Sequence, residues 1–189
     1  MSQLTSTVTT ILSVLTIIGQ VFIGLAIIWL LIYRFKKEQP VVTKVLNFFD
    51  KRAVLFSLIV ALLATLGSLF YSEIAGFEPC RLCWYQRILM YPQVILLALA
   101  LWIRDKKNIV VYSLGLSIVG AVIAGYHYLL QIGVVKSSSC EVVGYSVSCS
   151  QRFVMNFGYI TIPMMALTAF GLIIVFMIIK KLASSRSYE

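Results

Sequence analysis

Charged side chains are scarce in this chain and are missing from long parts of it. Only 12% of the 189 residues are Asp, Glu, Lys or Arg, whereas hydrophobic residues make up 60%. A soluble domain has about 25% charged residues, so the composition excludes an ordinary soluble protein. Cysteine and histidine are also rare, with four and one copies. Any site built from thiols or imidazole is therefore restricted to very few positions.

The uncharged stretches are long enough to cross a lipid bilayer. A membrane-spanning helix needs roughly 20 predominantly apolar residues. We predict five such helices, at about 7–33, 53–72, 88–104, 109–131 and 157–179. The sequence thus predicts an all-α protein of the lipid bilayer with one membrane domain, because too little chain remains for a soluble domain.

The positive charge is unevenly distributed. The net charge is +9, which invites a nucleic-acid interpretation, but most basic residues fall in three segments that share one side of the membrane if the helices alternate. These are Arg34, Lys36, Lys37, Lys44, Lys51, Arg52, Arg104, Lys106, Lys107, Lys180, Lys181 and Arg186. The other side carries only Arg81, Arg87, Lys136 and Arg152. Basic residues mark the cytoplasmic side, so we predict an external N-terminus, a cytoplasmic C-terminus and no nucleic-acid partner.

All four cysteines lie in the two external loops of this topology, where disulfides form and persist. Cys80 and Cys83 form a Cys-Arg-Leu-Cys motif after Pro79, just before the third apolar run. A helix N-terminus stabilises a thiolate, and Arg87 lies one turn after Cys83 on the same helical face. Read alone, the motif also fits half a zinc site or a tight structural disulfide.

The second pair, Cys140 and Cys149, flanks eight residues with Gly144 at their centre. This spacing fits a redox-active disulfide on a loop, and it equally fits a structural crosslink. His127 lies near the outer end of the fourth span, and Gln131 follows one turn later on the same face. Ionisable groups within spans are usually functional. The two side chains could bond the carbonyls of a flat ligand, or His127 could simply bond the backbone.

These motifs resemble the disulfide bond formation protein B (DsbB) family, especially its BdbC-like branch. The resemblance covers roughly residues 53–180. It rests on Cys80-Arg-Leu-Cys83-Trp-Tyr-Gln-Arg87, Tyr126-His127-Tyr-Leu-Leu-Gln131, the pair Cys140/Cys149, and Gly158-Tyr-Ile-Thr-Ile-Pro163. It implies a four-helix transmembrane bundle at 53–181 in a bacterial cytoplasmic membrane. The additional N-terminal transmembrane helix and basic linker at 1–52 lie outside this family core, and a cytoplasmic tail follows at 182–189.

The resemblance also implies an activity. Proteins of this family reoxidise an extracytoplasmic thioredoxin-fold (DsbA-like) dithiol oxidase and pass its electrons to a membrane quinone, either ubiquinone or menaquinone. The implied residue roles are as follows: Cys140 meets the partner, Cys149 exchanges with Cys80, Cys83 lies next to the quinone, and Arg87, His127 and Gln131 bind the quinone.

Three alternatives remain open at this point. A vitamin K epoxide reductase-like enzyme would share the bundle, the Cys-x-x-Cys motif and the quinone. A membrane scaffold would use both disulfides for structure only. Four thiolates would also suffice for a tetrahedral zinc site, although an oxidising exterior favours disulfides.

Overall fold

The structure is a computed structural model that describes residues 3–35, 40–105, 108–135 and 148–186. Within these ranges the chain forms five α-helices. They are α1 (Gln3–Phe35), α2 (Pro40–Leu69), α3 (Arg81–Trp102), α4 (Asn108–Gln131) and α5 (Ile162–Arg186), with a π-helical turn at Phe70–Ile74 that extends α2. Each helix is long and apolar enough to cross a membrane.

Helices α2 to α5 form a four-helix bundle in which each helix packs against two neighbours. The order around the bundle is α2, α3, α4, α5 and back to α2. Helix α1 lies outside this ring and packs mainly on α5. The predicted all-α bundle with one additional N-terminal helix is confirmed.

Helices α2 and α3 begin well before their predicted spans. Helix α3 begins at Arg81 rather than residue 88, because the polar residues after Cys80 are already helical. Helix α2 begins at Pro40 rather than residue 53. Leu46, in its first turns, is buried beside Tyr33 of α1 and Ile179 of α5, so part of the predicted basic linker belongs to a packed helix.

Two contacts set how α4 lies between its neighbours. Gly120 faces the Phe170 ring of α5 so closely that a Cβ atom there would lie 2.4 Å from the ring. On the α3 side, Gln93 Oε1 accepts hydrogen bonds from the hydroxyls of Ser113 and Ser117 at 2.9 and 3.1 Å. Small residues and interhelical hydrogen bonds drive helix association in membranes, and these contacts orient the α4 face that carries His127.

The two connections that carry cysteines meet at one end of the bundle, which we call the cysteine end. Aromatic stacking joins them there. Phe77, from the connection before α3, stacks on Phe153, from the segment before α5, with ring centroids 4.9 Å apart. Tyr71 of the π-helical turn also stacks on Phe77, with ring centroids 5.8 Å apart. The two segments therefore pack as one layer over the bundle.

Candidate active site

The Cys-x-x-Cys motif lies at the start of α3, as the sequence predicts. Cys80 is the N-cap residue, with an extended backbone (φ −70°, ψ 172°), and Cys83 is in the first turn. Their Sγ atoms are 3.1 Å apart, and both residues are free thiols. This distance permits an S–H···S hydrogen bond and requires only a small movement to form a disulfide.

Cys80 is buried in a small cluster with Leu130 and Cys149. Cys149 is disulfide-bonded, and Cys140 lies outside the described residues. The structure therefore brings one cysteine of the second pair into the same buried cluster as Cys80 of the first pair. The predicted exchange between Cys149 and Cys80 requires this proximity.

The imidazole of His127 lies between the two cysteine segments. Its Nε2 atom is 3.1 Å from the carbonyl oxygen of Cys149 and 3.6 Å from Cys80 Sγ. Its Nδ1 atom is 3.0 Å from Nε2 of Gln86. His127 is almost completely buried, with 1% of its surface exposed, so its ring nitrogens bond to protein atoms and not to bulk water.

The hydrogen bonds define the tautomer of His127. Gln86 Nε2 also donates to the carbonyl oxygen of Leu82 at 3.2 Å, so this atom is the amide nitrogen and not the oxygen. It can only donate to His127 Nδ1, which must then be unprotonated. The proton is on Nε2, where it is donated to the Cys149 carbonyl and faces Cys80. Gln86 is thus a site residue that the sequence analysis missed, although it lies within the quoted motif.

The environment of Cys80 favours its thiolate. The hydrogen bond from the Cys83 thiol lowers the pKa of Cys80 to about 4, and the nearby His127 ring adds to this effect although burial opposes it. The two thiols share one proton as a coupled pair. The reduced motif therefore holds a nucleophile at neutral pH.

Arg87 is held in place by residues from α2 and α3. Its Nε donates to Ser68 Oγ at 3.0 Å and one terminal nitrogen donates to the Ser68 carbonyl at 3.1 Å. Tyr91 donates to the same hydroxyl at 3.1 Å, and the guanidinium lies over the Trp84 ring. No sequence signal pointed to Ser68, because its pairing with Arg87 arises only when α2 packs on α3.

Beside these residues lies a cavity of about 380 Å³, which we call the bundle cavity. Cys83, Gln86, Arg87 and His127 line it at the cysteine end, and the rest of its wall comes mainly from apolar residues of α1, α2 and α5. Cys83 therefore faces the cavity and also packs against the cluster that holds Cys80 and Cys149. Cys80 lies in that cluster and is not among the described residues that line the cavity.

Gln131 has a different position from the one expected. It is not among the described residues that line the bundle cavity. Its Nε2 donates to the Gln151 carbonyl at 3.0 Å, and its own carbonyl accepts a hydrogen bond from Arg152. Gln131 thus ties the end of α4 to the segment that carries Cys149. The reason is the advance along the helix axis, since one turn beyond His127 the helix has left the cavity and meets this segment.

Cys80, Cys83 and His127 also form a group with metal-ligand chemistry, since their Sγ and imidazole nitrogen atoms lie within 4.8 Å of one another. This differs from the four-cysteine zinc site considered above, to which the structure adds no evidence because Cys140 lies outside the described residues. Thiolate and imidazole ligands suit zinc.

Several known proteins are similar to this chain. Residues 50–180 match the family profile described as "Disulfide bond formation protein DsbB". Disulfide bond formation protein C of Bacillus subtilis is 49% identical over 125 residues, which are 66% of this chain and 89% of that protein. The probable disulfide formation protein C of Halalkalibacterium halodurans is 43% identical, over 65% of this chain and 88% of that protein.

A third relative is an SPbeta prophage-derived disulfide bond formation protein B of Bacillus subtilis, 47% identical over 58% of this chain and 72% of that protein. No solved structure matches the chain. The profile match spans α2 to α5 and both cysteine pairs and leaves α1 outside. With the helical bundle and paired thiols already described, this match shows that the chain belongs to the DsbB family of disulfide bond formation proteins.

Proposed function

We propose that this chain is a membrane thiol:quinone oxidoreductase that reoxidises an extracytoplasmic, thioredoxin-fold (DsbA-like) dithiol oxidase. Family membership supports the coarser part of this statement, a thiol oxidase for disulfide formation in a membrane. The observation that carries the finer part is the position of the Cys-x-x-Cys motif between the second pair and the cavity: Cys80 lies in one buried cluster with Cys149, and Cys83 packs against that cluster and lines the bundle cavity.

The thiol side of the reaction begins at the second cysteine pair. A thiolate of the reduced partner attacks the Cys140–Cys149 disulfide, and the partner's second thiol resolves the mixed disulfide. The partner leaves oxidised, and Cys140 and Cys149 are left as a dithiol. Two electrons and two protons have then passed from the partner to this chain.

The second exchange joins the two pairs. The Cys149 thiolate attacks Cys80 of the Cys80–Cys83 disulfide, and Cys83 leaves as a thiolate at the cavity wall. Cys140 then attacks the Cys149–Cys80 bond, so the second pair is a disulfide again and Cys80 and Cys83 are both reduced. The presence of Cys80 and Cys149 in one buried cluster supports this order of exchange.

The bundle cavity fits a quinone ring by its chemistry. Ligand sites are mostly apolar clefts with a few placed polar groups, and here the polar groups are Arg87, Gln86 and His127 beside Cys83. When bound, a quinone supplies a two-electron, two-proton acceptor for the Cys80–Cys83 dithiol. Arg87 can donate N–H groups to a ring oxygen, and the lowered pKa of Cys80 keeps one thiol of the pair ionised for disulfide closure.

The positive-inside pattern supports an orientation of the protein in the membrane with the cysteine end outside. Basic residues of the 34–52, 104–107 and 180–186 segments place those segments in the cytoplasm. The cysteine end would then face the outside of a bacterial cytoplasmic membrane, where a soluble dithiol partner meets it. We further propose the division into an N-terminal segment at 1–52, a bundle domain at 53–181 and a short tail at 182–189.

The test uses purified protein in detergent, a reduced thioredoxin-fold oxidase and a soluble quinone, without oxygen. We expect the wild type to reduce the quinone rapidly, Cys83→Ser to fall to the uncatalysed rate, and Ser150→Ala, an exposed change in the same segment as Cys149, to keep full activity. Quinone reduction by Cys83→Ser at the wild-type rate would contradict the scheme. Absent wild-type activity together with stoichiometric zinc would favour the Cys80, Cys83 and His127 metal site instead.

A further inference from the structure

Helix α1 forms one wall of the bundle cavity although it lies outside the region that matches the DsbB family. The family match begins at residue 50, whereas the cavity is lined by Leu12, Leu15, Thr16, Ile18, Gly19 and Phe22 of α1. The cavity is thus bounded in part by a helix that the shared family region lacks. An anchor helix with no other role would not need this position.

Polar contacts hold α1 in register against the bundle. Tyr71 of the π-helical turn donates to Thr9 Oγ1 at 3.3 Å, and the Asn156 amide donates to Ser13 Oγ at 3.0 Å. Further along α1, Gln20 accepts from the Tyr159 hydroxyl at 2.9 Å. Directional hydrogen bonds of this kind fix the rotation of a membrane helix more firmly than apolar contacts can. The α1 face toward the cavity is therefore defined.

The cavity changes character along its length. Its cysteine end has the polar groups Cys83, Arg87 and His127, whereas Phe22 of α1 and Phe176 of α5 line it further from that end. At 1.5 Å per helical residue, the α1 wall from Leu12 to Phe22 extends about 15 Å. A polar pocket that continues into a long apolar groove matches a molecule with a polar ring and an apolar chain.

We propose that α1 binds the isoprenoid tail of the quinone and thereby sets the preference for long-tailed quinones. This inference rests on the proposed thiol:quinone activity, because the ring must occupy the cysteine end for the tail to reach α1. The groove continues from the polar end along α1, and its walls offer apolar contact to a chain that would otherwise lie in lipid. The tail is thus held by a helix added to the family bundle.

A matched pair of α1 variants tests this proposal. Ile18 lines the cavity and Val21 does not appear among its lining residues, yet the two side chains are similarly exposed, at 59% and 57%. In Ile18→Trp the larger ring would fill the groove, and the same change at Val21 would face lipid. We would measure the dissociation constants of a quinone with a long isoprenoid tail and of the same ring without the tail.

We expect Ile18→Trp to weaken binding of the tailed quinone about tenfold, the equivalent of a few displaced methylene contacts. Val21→Trp should leave it within about twofold, and the tail-less ring should bind equally to all three proteins. Equal tailed-quinone affinity in the two variants would overturn the role of α1. Failure of the wild type to bind either quinone would overturn the proposed quinone activity itself and the tail site with it.

Photolabelling of the wild type gives a readout that needs no variant. A quinone with a diazirine at the end of its tail should label α1 peptides, and an excess of unlabelled tailed quinone should abolish the labelling. A diazirine phospholipid serves as the control. Labelling of α2 and α5 without α1 would contradict the proposal. The proposal would also be contradicted if the phospholipid labelled α1 as strongly as the quinone did and unlabelled quinone did not reduce the labelling.

Discussion

Gln86 Nε2 lies 3.0 Å from His127 Nδ1, and this contact decides which imidazole nitrogen carries the proton. Because the amide can only donate there, the Nε2 atom of His127 faces Cys80 and the Cys149 carbonyl as a donor. Gln86 is thus a positioning residue that acts through His127. It keeps a single proton directed at the interface between the two cysteine pairs.

Replacing Gln86 by methionine should release this constraint. Without the donor at Nδ1, only the Cys149 carbonyl still selects the Nε2 proton, so we expect the minor tautomer of the neutral imidazole to gain population and the exchange between the cysteine pairs to slow up to about tenfold. His127 is the only histidine, so an NMR spectrum of protein with ¹⁵N-labelled histidine shows ring-nitrogen signals from this residue alone. Gln93→Met is the control, since Gln93 is also a buried glutamine of α3 but bonds Ser113 and Ser117. Unchanged nitrogen shifts in Gln86→Met would contradict the assignment.

The thiolate of reduced Cys80 should persist into mild acid. Its pKa is lowered to about 4, whereas an ordinary thiol has a pKa of about 8.5. The thiolate is therefore present above about pH 4 and is lost as the pH falls through that value. Ultraviolet thiolate absorbance of the reduced protein, in a Cys140→Ser, Cys149→Ser background, should show this low midpoint.

The Cys83→Ala change in the same background removes the hydrogen-bond donor to Cys80. We expect the midpoint of the Cys80 titration to move upward, toward that of an ordinary thiol, because burial then opposes ionisation without the compensating hydrogen bond. The measurement is the same absorbance titration. A midpoint that stays low in Cys83→Ala would mean that Cys83 is not the cause of the shift.

Gly120 should not tolerate a methyl group. A Cβ atom at this position would lie 2.4 Å from the Phe170 ring, so Gly120→Ala must separate α4 from α5 or rotate the ring. We expect a destabilisation of about 1–3 kcal/mol, measured by thermal or denaturant unfolding in detergent. Gly125→Ala is the matched control in the same helix, where a Cβ would meet no atom within 4 Å. A similar loss in both variants would argue against tight α4–α5 packing.

Removing Asp50 should destabilise the protein more than removing Lys180, with which it forms an ion pair. The Nζ and Oδ1 atoms are 3.2 Å apart, and the side chains are 8% exposed at Lys180 and 33% at Asp50. Asp50→Asn leaves a buried ammonium without a counter-charge and should destabilise the protein by about 3 kcal/mol. Lys180→Met leaves a carboxylate that water still reaches, so it should lower the free energy of unfolding by less than Asp50→Asn does. Unfolding in detergent would measure both, and equal losses would contradict this prediction.

The number of spans and the place of the Cys-x-x-Cys motif followed from the sequence alone. Both depend on local properties: an uncharged run long enough to cross the bilayer, and cysteines just before such a run, at a helix start. The structure confirms the bundle and its additional helix, and the helix starts that it shifts most are those of α2 and α3.

Tertiary packing alone decided which side chains meet. Lipid tails are as apolar as leucine, so a membrane helix carries little pattern that tells its packed face from its lipid face. Packing therefore placed Gln131, one turn beyond His127 on the same face, against Gln151 and outside the cavity. Packing likewise placed Gln86 on His127 and Ser68 on Arg87, and brought α1 to the cavity wall. The sequence determined the helices and their thiols, and the packing of apolar helices, whose faces look alike in sequence, decided the site.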